Sequence, residues 1–277
     1  MKFYEKFKPT IIVTLLAIIF LGYSCGKDSD DPPNDENSND NEEIIENYKL
    51  LKKITYTDFW WGEMNLDFSY SNGLLVKENN GGELVYYEYN IDNKISLAKE
   101  CSDQNLTDIN IDSYDCSAFY QPSTYIYENG KLKTFGPDVK DITFNYDTKG
   151  NLISEVSTAS MSESIYYTYD NEGNILSMEI TDGSSGFTTT FEYDGKKNPF
   201  YGLWKKFGYF EDQGFEPYDL VSSIFKQNAT KIFKNNKLEL EANYTYDSDG
   251  YPISCGFIEY LNDGTTREGN VLFTYLE

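Results

Sequence analysis

Tyr167-Thr168-Tyr169-Asp170-Asn171-Glu172-Gly173-Asn174-Ile175 is the stretch on which the fold turns. Tyr167 and Tyr169 are two residues apart, so on a strand they share one face. Asp170 caps a turn through its own side chain, and Gly173 supplies the positive φ of a bulged hairpin turn. Ile175 then opens a return strand on the same side as Tyr169. The order recurs in Phe144-Asn145-Tyr146-Asp147-Thr148-Lys149-Gly150-Asn151-Leu152 and Tyr244-Thr245-Tyr246-Asp247-Ser248-Asp249-Gly250-Tyr251-Pro252-Ile253. Shorter Asn-Gly versions are Phe68-Ser69-Tyr70-Ser71-Asn72-Gly73-Leu74 and Tyr125-Ile126-Tyr127-Glu128-Asn129-Gly130-Lys131-Leu132. Weaker copies lie at Tyr87-Glu88-Tyr89-Asn90 and Phe191-Glu192-Tyr193-Asp194-Gly195.

A unit that returns on the order of every 20 residues marks a repeat architecture. Short turns make sequential strands antiparallel neighbours, so the expected fold is all-β, a large meander. Residues 48–277 form one such domain of about 15 strands, and a sheet of that size curls or closes into an open barrel. The Phe/Tyr pairs of adjacent hairpins are placed to stack into an aromatic ladder. The motif resembles the YD repeat of RHS-type proteins. The chain as a whole resembles a Bacteroidota surface lipoprotein family of unknown function, with degenerate YD-like hairpins in a porin-like meander. That resemblance speaks for architecture and is nearly silent on activity.

The front of the chain reads as an address. Lys2, Lys6 and Lys8 precede an apolar run from Ile11 to Gly22, too short to span a bilayer as a helix. Ser24 then precedes Cys25. Leu21-Gly22-Tyr23-Ser24-Cys25 resembles a relaxed lipobox, which implies a signal peptide at 1–24, cleavage before Cys25 and a diacylglycerol on its sulfur. Residues 25–47 then comprise the lipidated Cys and an acidic tether, with Pro32-Pro33 and no aromatic residue. Such a segment buries too little area to order itself. An acidic patch behind the lipidated Cys resembles a surface-export signal. It implies an outer-membrane lipoprotein facing the exterior, with a periplasm-facing protein as the alternative.

The 277 residues carry a formal charge of −23 and no histidine. Residues 48–277 hold 19 basic and 36 acidic residues, so most of that charge belongs to the domain. Nucleic acid is excluded as a partner, because phosphates need clustered Lys and Arg. Without His the chain lacks the commonest acid/base at neutral pH and the commonest metal ligand. No G-x-S-x-G elbow or Gly-rich phosphate loop occurs. Carboxylates are plentiful, but most Asp sit in turns, which leaves a carboxylate-based glycosidase as a remote alternative. No cofactor is expected; adventitious calcium at acidic turns such as Asp247-Ser248-Asp249-Gly250 is the one cation reading.

Two segments break the hairpins. Cys101 to Gln121 contains Cys101 and Cys116, whose pairing would close a loop of about 15 residues, while Cys255 lies in an apolar run and reads as a buried thiol. The aromatic insert at 196–225 opens with Asn198-Pro199 and lacks a YD-like turn. A short helix is expected from Asp219 to Phe225, with Asp219 as its N-cap. The insert reads either as a plug over the open end of the sheet or as a platform for a sugar ring or peptide. The platform residues would be Trp204, Phe207, Tyr209, Phe210, Phe215 and Tyr218, with Trp61 near the first strand. The function expected is non-catalytic: a membrane-anchored lipoprotein whose curved sheet binds a glycan or cell-envelope protein. The alternative is an envelope scaffold without a small ligand.

Overall fold

The structure, a computed structural model, describes residues 48–58, 62–103, 106, 109–136, 142–157, 164–181, 186–208 and 222–276. Cys25, Trp61, Tyr209, Phe210, Phe215 and Tyr218 lie outside the described residues, as do the signal peptide, the tether and the proposed cap Asp219.

Among the described residues sixteen strands follow one another in chain order, each antiparallel to its neighbours. They are β1 (Leu51–Asp58), β2 (Gly62–Ser71), β3 (Leu74–Asn80), β4 (Glu83–Tyr89), β5 (Ile95–Glu100), β6 (Ser123–Glu128), β7 (Lys131–Gly136) and β8 (Ile142–Tyr146). Then come β9 (Leu152–Ser157), β10 (Ser164–Tyr169), β11 (Ile175–Thr181), β12 (Gly186–Lys197), β13 (Gln227–Lys234), β14 (Lys237–Tyr246), β15 (Pro252–Tyr260) and β16 (Thr266–Tyr275). The meander closes, because β1 pairs with β16 from Leu51↔Tyr275 to Asp58↔Gly269. The sheet is therefore a closed barrel.

The turns form for the reasons their residues suggest. Asp170 Oδ1 accepts the backbone N–H of Glu172 and of Asn174, both at 2.9 Å. Gly173 has φ 83°. Asp147 accepts from Asn151 in the same way at 2.8 Å, and Asp247 from Tyr251 at 2.9 Å. Each turn ends in a bulge that sets Tyr169 opposite Ile175 and Tyr146 opposite Leu152. The bulge keeps the tyrosine and the apolar residue on one face across an odd-length connection.

Alternate residues point inward and are buried. Phe144, Tyr167, Met178, Phe191, Ile232, Leu240, Ala242, Phe257, Val271, Ile54, Tyr56, Leu66 and Phe68 belong to one continuous apolar cluster inside the barrel. Many outward positions are polar and pair across strands, while Ile126, Ile153, Tyr166, Leu176, Ile253 and Leu272 are exposed apolar or aromatic ones. Thr55 Oγ1 donates to Asn65 Oδ1 at 2.8 Å, Thr168 and Ser177 share a hydrogen bond of 2.6 Å, and so do Thr245 and Ser254. Glu192 and Lys231 form an ion pair at 3.2 Å, and Glu88 pairs with Lys99.

The segment after β5 lies on the outer wall. Cys101 and Cys116 are joined as a disulfide, with Cα atoms 5.8 Å apart. Lys77 Nζ donates to the carbonyl of Tyr114 at 2.7 Å, and Asn79 Nδ2 to that of Leu106 at 3.0 Å. A small cluster of Leu84, Cys101 and Leu106 packs beneath. Cys255 is a free, buried thiol.

Among the described residues of the insert there is one helix, α1 (Pro199–Phe207). It begins where β12 runs on past Asp194 instead of turning. Asn198 caps it, accepting the N–H of Phe200 at 3.0 Å, and Pro199 takes the first helical position. Gly208 ends it with φ 71°, donating to the carbonyl of Trp204 at 2.8 Å. This corrects the helix expected at 219–225: residues 222–225 form a turn. Asn-Pro is the stronger start signal, since it satisfies an orphan N–H and presets φ at once.

Candidate functional site

Phe200, Leu203 and Phe207 on α1 are each fully buried. Phe200 meets Phe68 edge-on at 6.3 Å, and Phe207 meets Tyr89 at 6.1 Å and Tyr70 at 6.4 Å. The described part of the insert thus plugs the rim where the tyrosines of the hairpins stand. Phe207, expected on an exposed platform, is in the plug. Its apolar face has more to gain inside the barrel than in water. Trp204 stays half-exposed, facing a cavity.

The rim tyrosines form a ladder of hydrogen bonds rather than of stacked rings. Tyr70, Tyr146, Tyr169, Tyr193 and Tyr275 donate to the carbonyls of Leu51, Leu132, Leu152, Ile175 and Pro252 at 2.6–2.9 Å. Tyr89 donates likewise to Leu75. In every case an even-numbered strand grips the entry of the odd-numbered strand before it. Two even strands depart from this rule. On β14 the hydroxyl of Tyr246 turns to the carboxylate of Asp194. On β6 the hydroxyl of Tyr127 is buried and has no hydrogen-bond partner among the described residues.

Tyr127 lines a cavity of about 140 Å³ between α1 and the hairpin turns. Lys94, Lys205 and the exposed Lys131 are among its lining residues. Lys94 Nζ donates to the carbonyls of Lys205 and, at 3.1 Å, Lys206, where it neutralises the negative end of the helix. Lys131 lies over the ring of Tyr146 at 5.3 Å, and Lys205 over that of Tyr201 at 5.2 Å. Burial lowers the pKa of Lys94, and the charge of Lys205 lowers it further. Burial lowers that of Lys205 as well. No acidic side chain lines the cavity among the described residues.

The fold resembles that of solved structures. A porin-like protein from Bacteroides uniformis matches with a TM-score of 0.53 at 14% identity, over 83% of this chain and 99% of that one. A second porin-like protein, from Bacteroides vulgatus, matches with a TM-score of 0.44 at 14% identity, over 82% and 99% of the two chains. No protein-family model matches the sequence, and no curated protein does either. At this identity the likeness is one of fold.

Other expected sites fall as follows. At Asp247-Ser248-Asp249, Lys49 Nζ sits 2.7 Å from one carboxylate and 2.6 Å from the other. The cation at that turn is thus the chain's own lysine. Cys101, Asp103 and Cys116 come close together, but both sulfurs are used in the disulfide. Sequence reasoning missed the lysine cavity. Lys94 stands in the turn before β5, Lys131 opens β7 and Lys205 lies on α1, and a lone Lys reads as a solvated charge. The available signal was slight: Asn129-Gly130 is followed by Lys131 where the matching Asn72-Gly73 turn is followed by Leu74.

Proposed function

We propose that this chain is a non-catalytic binding protein of the cell envelope, tethered to the outer membrane by lipid on Cys25, its barrel standing in water. The observation that carries this reading is the inverted wall. A lipid-embedded barrel turns an apolar band outward and lets polar groups line its lumen. Here Thr, Ser, Asn, Glu and Lys in cross-strand pairs stand on the outward rows among the exposed Ile126, Ile153, Tyr166, Leu176, Ile253 and Leu272, and the main apolar cluster is inside. A wall of this kind needs a separate anchor, and the lipobox-like Cys25 with its acidic tether supplies one. The porin-like fold of the Bacteroides proteins agrees with an envelope setting. The half-exposed Trp204 beside a cavity supports binding of a glycan or an envelope protein. A surface-facing orientation follows from the acidic tether.

A second reading is an envelope scaffold with no small ligand. The tight packing of Phe200, Leu203 and Phe207 favours it. The test of the main reading is metabolic labelling with an alkyne fatty acid, followed by fractionation. The wild-type chain is expected to take the label and stay with the membrane, and Cys25→Ala to lose the label and become soluble. An unlabelled wild type, or a Cys25→Ala chain that still behaves as an integral membrane protein, would sink the proposal. Protease shaving of intact cells then separates outward from periplasmic facing.

A further inference from the structure

The seam where β16 meets β1 reaches the rim that α1 plugs, and the chain enters the barrel there. Tyr48 sets its ring 6.2 Å from that of Tyr201 on α1 and 6.2 Å from that of Tyr251. Three aliphatic side chains stand uncovered on the outer wall beside this entry. Ile253 is the extra residue of the bulge between Thr245↔Ser254 and Tyr246↔Pro252, and it is 45% exposed. Leu272 lies opposite Ser254 on one side and Thr55 on the other, both too short to shield it, and it is 53% exposed. Leu276, one residue past β16, is 38% exposed and lines an outer groove with Lys52 and Val76. The polar groups around them are already matched or basic. Thr245 and Ser254 bond each other, and Lys52 is exposed. Lys49 holds the carboxylates of the adjoining turn, Asp247 and Asp249, and Lys53 faces Asp67 at 3.8 Å. Asp112, elsewhere in the groove, accepts from Ser69 Oγ at 2.6 Å.

We propose that this seam is a membrane-facing surface. Ile253, Leu272 and Leu276 rest in the interfacial layer of the phospholipid bilayer that anchors the chain, with Lys52 against its phosphates. The inference rests on the lipid-anchored reading above and gives the barrel a fixed face toward the bilayer. The occupant follows first from where the chain outside the barrel ends. Residues 26–47 join the barrel at Tyr48, so an anchor at Cys25 draws this rim toward the bilayer. It follows also from chemistry. Aliphatic tips among hydroxyls, with a lysine beside them, suit the headgroup boundary, where the tips leave water and the lysine stem reaches phosphate. Three half-exposed side chains would hold a free protein on a vesicle only weakly. Once an anchor keeps the domain near, the same contact is intramolecular and needs little affinity. Without the contact, residues 26–47 fully extended would let the barrel stand roughly 70 Å off.

The processed chain from residue 25 is coupled through the Cys25 thiol to a maleimide lipid. The vesicles are phosphatidylethanolamine and phosphatidylglycerol with a diazirine-bearing phosphatidylcholine. Cys101 and Cys116 are bridged and Cys255 is buried, so coupling falls on Cys25. After illumination, lipid adducts are expected on the peptides that hold Ile253 and Leu272–Leu276. None are expected at Ile153 and Leu176, which are comparably exposed on β9 and β11, away from the seam. Ile253→Ser with Leu272→Ser should lower the adducts at Leu276 roughly tenfold. Ile153→Ser with Leu176→Ser, the same chemical change elsewhere on the wall, should leave them unchanged. Urea midpoints report whether each variant folds, and Leu272→Ser alone repeats the test should the seam pair not fold. Adducts spread evenly over the wall, none at the seam, or wild-type yield in a folded seam variant would overturn the proposal. So would a seam covered by a second copy, seen as a dimer of the uncoupled chain that the seam substitutions break. Failure here leaves the lipid anchor standing, whereas failure of the fatty-acid labelling leaves the adducts of the coupled chain unaffected.

Discussion

The hydroxyl of Tyr169 donates to the carbonyl of Leu152 at 2.6 Å, from the last residue of β10 to the first of β9. The bond clamps one hairpin to the next at the rim, where the sheet would otherwise fray. Tyr169→Phe removes the donor and leaves a half-buried carbonyl unpaired. The expected cost is about 1 kcal/mol, with an unchanged urea m-value. Tyr127→Phe is the internal control. Its hydroxyl is unpartnered among the described residues, so its removal should leave stability unchanged or slightly raised. Equal losses in the two variants would show that the ladder does not stabilise the rim.

The turn carboxylates should govern acid sensitivity. Burial acts to raise the pKa of Asp147 and Asp170, but hydrogen bonds from Asn151 and Asn174 outweigh it and hold both below the usual range. A carboxylate depressed in the folded state contributes stability that is full above its unfolded pKa of about 4 and is lost as pH falls through the lower folded value. Unfolding free energy should therefore hold steady near neutrality and decline below about pH 4. Asp147→Asn with Asp170→Asn removes two of the titrating groups. The decline should become shallower, as read from urea midpoints across that range. A double variant with an unaltered slope would exclude these turns as its source.

Gly269 is needed for space. It stands opposite Phe257, whose ring stacks on Tyr56 at 5.6 Å and 13°. A Cβ at position 269 would overlap the Phe257 ring and come within 2.9 Å of the carbonyl of Thr57. Gly269→Ala is expected to destabilise the barrel by about 1–3 kcal/mol, the usual cost of overpacking a filled interior. Thermal unfolding of this variant beside Gly264→Ala, a turn position with open space around it but strained φ, separates crowding from backbone strain.

The Cys101–Cys116 bridge closes a loop with a sequence separation of 15. The chain-entropy account assigns such a loop about 3 kcal/mol. Reduction, or Cys101→Ser with Cys116→Ser, should lower the urea midpoint by a matching amount, less whatever the contacts from Lys77 and Asn79 retain. Cys255 should not interfere. Burial pushes its thiol up to about 12, so alkylation at pH 8 is expected at its peptide only after unfolding. Labelling of the native protein at Cys255 would mean that the core opens there.

The hairpins were legible because Asp, Gly and the tyrosine two residues behind its partner act locally. The turns at 147–151 and 170–174 follow from side chains that bond their own backbone. Closure was not legible, since the pairing of β1 with β16 depends on twist and stagger summed over the whole sheet. The tyrosine ladder was half legible. The rings could be placed on one face, but their acceptors lie on the preceding hairpin and need the register. The helix of the insert starts at Asn198-Pro199, and the reason lies beyond its cap: that start seats Phe200, Leu203 and Phe207 in the barrel, which only the closed sheet reveals. Lys94, Lys131 and Lys205 converge only through that helix, so nothing short of its position could assemble them.

The seam between Leu51–Asp58 and Thr266–Tyr275 also makes the order of the strands arbitrary. The N–H of Leu276 reaches the carbonyl of Leu50 at 2.9 Å, which brings the two outermost strands to one point on the rim. A ring of hairpins can be opened at any exposed turn. A circular permutant that begins at Gly130 and joins residue 276 to residue 48 through a short linker should keep every strand pair intact. Deleting β16 alone would instead leave β1 and β15 as two bare edges, each a template for a neighbouring chain.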